Sequence, residues 1–150
     1  MILNELLTKQ NVITKIELKD EEKELSKELK VKIMRIRLAY NKVKKAFDED
    51  VKEFVEQIAT DDFKKLAQKT DRTEEEEKQY NELNVKINAD YLEFVNQKGL
   101  EEVKNAIDDK ISEDEYNEIV DVNAGNDVEI NGQTLKAADL LEAFYELFVA

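Results

Sequence analysis

The sequence contains no cysteine, proline, histidine or tryptophan, and only three glycines. Each absence removes a class of function or structure. Without cysteine there is no disulfide framework, thiol nucleophile or thiolate zinc site. Without histidine there is no imidazole base, no Ser-His-Asp triad and no histidine metal ligand. Serine occurs only at Ser26 and Ser112, and no glycine-rich phosphate loop is present. The missing prolines and scarce glycines favour long helices, because the two strongest helix breakers are nearly gone. No apolar run approaches the roughly 20 residues of a membrane-spanning helix. Met1-Ile2-Leu3-Asn4-Glu5 does not open like a signal peptide, so cytoplasmic residence, or incorporation in a particle assembled inside the cell, is expected.

What remains is 150 residues, 41% apolar and 39% charged, which suffices for a real core despite the charge. The net charge of −13 is unevenly placed. Residues 101–150 hold fourteen acids and three lysines, a balance of −11, and residues 1–100 carry only −2. Between Leu29 and Phe47 the chain has seven bases and no acid. Usage rich in Lys, Asn, Ile and Glu resembles that of small proteins from AT-rich bacterial or phage genomes.

The strongest pattern is an apolar stripe with a period near eleven. Leu25, Ile36, Phe47 and Ile58 form one row, Leu29, Tyr40 and Val51 another, with Ile33, Val43 and Phe54 filling in. Eleven residues in three turns is close to the natural helical pitch, so a long straight helix over 20–58 is expected, with Asp20 as its N-cap. Thr60 caps a short helix carrying Phe63 and Leu66. Thr73 and Glu76 form a capping box that opens a helix to Lys98-Gly99, with Tyr80, Leu83, Ile87, Tyr91 and Phe94 on one face. Gly99 suits a left-handed C-terminal turn. The two long stripes are expected to cover each other as an antiparallel hairpin.

The flanking segments have a different texture. A short helix over Ile2–Leu7 precedes a strand over Asn11–Leu18, where β-branched residues dominate. Leu100, Val103, Ile107 and Ile111 predict a helix, and Ser112 with Glu115 caps another. Asn131-Gly132 between Val128–Ile130 and Gln133–Leu135 is a tight hairpin signal. Ala137–Phe148 is a closing helix. The expected fold is therefore mainly α (α+β). It is one domain over 1–150, in which a helical hairpin (20–98) joins a small acidic part (1–19 and 99–150) of short helices and two or three strands.

Three surfaces invite a functional reading. Lys30, Arg37 and Lys44 are seven apart and form a basic flank beside the stripe. Asp108, Asp109, Glu113, Asp114, Glu115, Glu118 and Asp121 place seven carboxylates in fourteen residues. The loop from Asp121 through Asn123 and Gly125 starts like a calcium loop. It has Asn126 where a glycine belongs and Gly132 where a bidentate glutamate belongs, so no metal is expected. Catalytic residues and cofactors are not expected either. The reading is a non-enzymatic protein–protein interaction or assembly protein, structural or adaptor in kind, such as a phage or bacterial assembly component. Its partners are proteins, a second copy among them, with no direct nucleic-acid or membrane binding. The alternative is an acidic nucleic-acid mimic that inhibits a nucleic-acid-binding enzyme.

Overall fold

The computed structural model describes residues 1–104 and 107–150. Among them are six helices and a two-stranded antiparallel sheet. The chain divides into two compact units, Met1–Lys44 with Glu102–Ala150, and Lys45–Glu101. The mainly helical class with a small β part is as the sequence predicts.

In the first unit, α1 (Leu3–Ile13) takes in the first three residues of the segment expected as a strand, Asn11–Ile13, and Thr14–Leu18 form turn and irregular chain. Leu3, Leu6 and Ile13 fall on one helical face and are buried there, so tertiary packing overrides the β-branched run Val12–Ile13. Among the described residues the sheet accordingly has no third strand. The long helix α2 (Lys27–Ile58) also starts later than expected. Residues 20–24 contain no apolar side chain to bury. Asp20 instead caps a turn, accepting from the Glu22 and Lys23 amides at 2.9 and 2.5 Å. Leu25 is buried just before the helix, with its amide on the Leu18 carbonyl. Ser26 begins α2, its hydroxyl accepting from the Leu29 amide at 3.4 Å.

Helix α5 (Glu113–Asn123) carries the expected Ser112–Glu115 capping box. Strands β1 (Val128–Ile130) and β2 (Gln133–Leu135) pair in the register Val128 to Leu135. Asn131 and Gly132 turn between them at φ 51° and 79°, the left-handed pair a tight hairpin requires. Across the hairpin, Asp127 accepts the Ala137 amide at 2.9 Å and so caps α6 (Ala137–Phe148). The core joins Leu6, Ile13 and Ile16 to Leu29, Ile33, Ile36 and Tyr40 of α2, to Ile119 and Val122 of α5, and to Leu140, Phe144 and Phe148 of α6. Of the helix expected over 100–111, the described residues past Leu100 form none. Asn105 and Ala106, which that expectation also covers, lie outside the described residues. Val103 and Ile111 hydrogen-bond the Met1 and Phe148 carbonyls instead, and Ile111 is fully buried.

The second unit contains the last part of α2, α3 (Asp61–Gln68) and α4 (Glu74–Gly99). Phe54 stacks on Phe94 at 4.2 Å, and Lys98 pairs with Asp50 at 3.3 Å, so the two helices run antiparallel. Farther along, Phe63 of α3 stacks on Tyr80 at 5.4 Å and the Arg72 guanidinium lies over the same ring. The cover of α4 is thus the end of α2 followed by α3, and not the whole of α2. The Leu29–Tyr40 stretch belongs to the other core. Helix α4 ends on 3₁₀-type bonds from Leu100 to Gln97 and Glu101 to Lys98, which satisfy its carbonyls without a left-handed Gly99.

Candidate interaction surfaces

The basic flank is occupied by structural duties. Lys30 pairs with Glu24 at 2.5 Å. Arg37 donates from Nε to the Ile13 carbonyl at 3.1 Å and from Nη2 to the Ile16 carbonyl, closing the end of α1. Burial lowers its pKa, against the nearby Glu17 charge. Lys44 is half-buried and also engaged. Of the three, Arg37 lies at the seam between α2 and the end of α1.

Most of the acidic cluster is likewise turned to internal partners. Asp109 accepts from Lys9 at 2.8 Å and from the Tyr40 hydroxyl. Burial first, and then Asp109, push the Tyr40 phenol well above its ordinary range. Asp108 accepts the Lys110 amide, and Glu113 the Tyr145 hydroxyl at 2.6 Å. Burial pushes the Glu115 carboxyl up, but the Ser112 amide and Lys32 ammonium outweigh it and leave it below its ordinary value. Glu118 accepts the Ser26 amide at 3.0 Å. Asp114 sits in the first turn of α5, where the helix dipole favours a carboxylate.

Asn123, from the loop with calcium-like spacing, is fully buried. Its Nδ2 donates to the carbonyls of Ile119 and Glu17, while its Oδ1 accepts from the Glu17 amide and Asn126. The asparagine is a pincer that locks the chain after α1 to the end of α5. Among the described residues no three acids are grouped to hold a metal ion. Ser26 and Ser112 both cap helices.

Exposed apolar side chains are also grouped on both units. On the first unit, Val31, Met34 and Leu38 follow one another along α2 at steps of three and four, with Leu38 69% exposed. Val31 and Ile107 border an open depression of about 550 Å³, with Glu28, Arg35 and Asp108 at its edge. On the second unit, Val85 and Leu92 of α4 are 69% and 57% exposed, with exposed Ala89 between them. The predicted inner stripe of α4 is only half-covered, and Tyr91 is exposed. Only Leu66 and Gly99 are buried in the whole second unit.

No protein-family model, curated protein or solved structure matches the chain. Among the described residues, no helix is long and apolar enough to cross a membrane. Sequence reasoning missed both exposed strips, because it assigned apolar residues to stripes and read the remaining faces as solvated. The signal on α4 was present in the run Asn81, Val85, Asn88, Ala89, Leu92 and Asn96, which is uncharged on the outward side of a highly charged chain.

Proposed function

We propose that this chain is a non-enzymatic protein-interaction protein of the assembly or adaptor kind, acting in the cytoplasm or in a particle assembled there. The observation that supports it is the grouping of exposed large apolar side chains into two helical strips, Val31–Leu38 and Val85–Leu92. Single exposed apolar residues are ordinary, but contiguous strips mark contact surfaces. The half-covered stripes of the second unit add to this, since another helix laid on them buries what the pair leaves wet. The alternative, an acidic mimic of nucleic acid, draws less support. Asp109, Glu113, Glu115 and Glu118 already accept internal hydrogen bonds and do not form an unpaired row.

The test is affinity capture from the native host with three baits: the wild type, Leu38→Lys and Leu92→Glu. Proteins retained by the wild type and lost from either folded variant carry the reading. A nuclease or polymerase held equally by all three baits and released at raised salt would overturn it in favour of mimicry.

A further inference from the structure

Asn131 is set apart from the other asparagines of the chain. It is followed by Gly132, and no other asparagine precedes a glycine. Apart from Asn126, the other described asparagines lie inside α1, α2, α4 and α5, where the helical backbone angles hold each Cγ away from the next nitrogen. Asn126 stands in a loop, but its Nδ2 donates to the Lys15 carbonyl and to Asn123 Oδ1. The Asp127 amide that follows it bonds the Gly125 carbonyl. Asn131 and Gly132 are instead both exposed at the hairpin tip, and a Cβ placed on Gly132 meets nothing within 4 Å. The strands that carry this turn have three residues each, and so short a two-stranded pair is marginal, which lets the turn open.

We propose that Asn131 is a self-modification site, at which the chain converts its own carboxamide to aspartyl and isoaspartyl forms with water as the co-reactant. The Gly132 amide gives its proton to hydroxide, and its nitrogen attacks Asn131 Cγ. The Cγ–Nδ2 bond breaks, and Nδ2 leaves as ammonia with a proton from water. A cyclic imide now joins Asn131 Cγ to the Gly132 nitrogen. Water opens it at either carbonyl. Opening at Cγ leaves aspartate, and opening at the Asn131 main-chain carbonyl leaves isoaspartate, whose main chain runs through Cβ and Cγ. Nothing is oxidised or reduced.

The two products act differently on the fold. Aspartate adds a charge but tolerates the left-handed angle that Asn131 holds. Isoaspartate lengthens the main chain inside a tight turn whose residues stand at φ 51° and 79°, and the Val128–Leu135 register cannot survive the extra backbone atom. That register holds Asp127 against the Ala137 amide at 2.9 Å, the cap of α6. The isoaspartyl form therefore loosens the start of a helix whose Leu140, Phe144 and Phe148 stand in the core.

The test is incubation of the full purified chain at mildly alkaline pH, then cleavage after glutamate, which releases residues 130–142 with Asn131 as their one asparagine. That peptide should gain the mass of an amide-to-acid exchange before any other asparagine does, and should separate into two species of equal mass. The rate should rise in proportion to hydroxide. Gly132→Ala should slow it about tenfold or more, because a Cβ crowds the attacking nitrogen. The same change strains the turn, so a reaction governed by loosening alone would speed up instead. Hydrogen exchange at the Ala137 amide should quicken in the isoaspartyl form and stay at its wild-type rate in Asn131→Asp. Faster conversion at Asn126 or Asn117, a single aspartyl product, or a rate indifferent to Gly132→Ala overturns the proposal. Unchanged exchange at Ala137 in the isoaspartyl form overturns its link to α6.

Discussion

Tyr40 offers a sharp quantitative test of the first unit, because its ring and its hydroxyl do separable work. The side chain is 2% exposed in the core, and its hydroxyl donates to Asp109, which also receives Lys9 at 2.8 Å. Tyr40→Phe keeps the ring and removes one hydrogen bond to a carboxylate, a bond worth about 1.5–3 kcal/mol in general. Asp109 retains its lysine, so the expected cost is near the lower end, about 1–2 kcal/mol. Tyr40→Ala also removes the ring and leaves a cavity, and large aromatic truncations in cores cost about 3–5 kcal/mol. The expected order is a loss for alanine about three times that for phenylalanine, a large share of a typical domain stability of about 5–15 kcal/mol. With Lys9→Met added to Tyr40→Phe, the combined loss should exceed the sum, since both partners of a mostly buried carboxylate are then gone. Native-state hydrogen exchange at amides of α1 and α6 reads this unit alone. A Tyr40→Ala loss below about 1 kcal/mol, or equal losses for the two variants, would refute the placement of the ring in the core.

Other expectations follow from the same reasoning. Phe47→Ala should cost about 1–2 kcal/mol, well below Tyr40→Ala, because Phe47 is only half-buried; urea titration of the two variants compares them. Asn123→Ala should cost about 2–3 kcal/mol or more by stranding the Glu17 amide and carbonyl, measured by the shift in urea midpoint. Gly132→Ala should cost about 1 kcal/mol through its positive φ, whereas Gly125→Ala, with open space around it, should be nearly neutral in thermal melts. Glu76 has its pKa lowered to about 2, first by Lys69 and then by the Thr73 amide. A lowered carboxyl value means its support for the start of α4 is complete above its ordinary value of 4.5 and lost as pH falls towards 2. Exchange protection of the first turn of α4 should follow that window, and Glu76→Gln should abolish the dependence.

Local rules in the sequence located nearly every element whose start is chemically marked. Thr60, Thr73 and Ser112 each accept the expected amide, and Asn131-Gly132 makes the expected turn. Failures occurred where distant residues decide. Val12 and Ile13 look like strand, but a helix places Leu3, Leu6 and Ile13 on one buried face. Asp20 has the chemistry of a helix cap and caps a turn, because the four residues after it have no apolar surface to bury. The basic flank and acidic cluster were visible as charges, but their partners were not. Arg37 closes α1 through backbone carbonyls, and Glu118 holds the start of α2 from 92 residues away. Neither relation leaves a mark in local spacing.

The chain order of the two units bears on how the protein folds. The first unit is built from residues before 45 and after 101, and its long pairs, Met1 with Glu102 and Lys9 with Asp109, span 101 and 100 residues. Such contacts must wait for the chain to close on itself, which slows folding. The second unit is the intervening stretch of about 57 residues, and its Asp50–Lys98 ion pair joins regions near its two ends. If that unit forms first, the loops to be closed shrink to about 44 residues, easing closure by about 0.7 kcal/mol. In that order an ion pair of little worth to the finished structure would act as a clasp that shortens the closure of the other core.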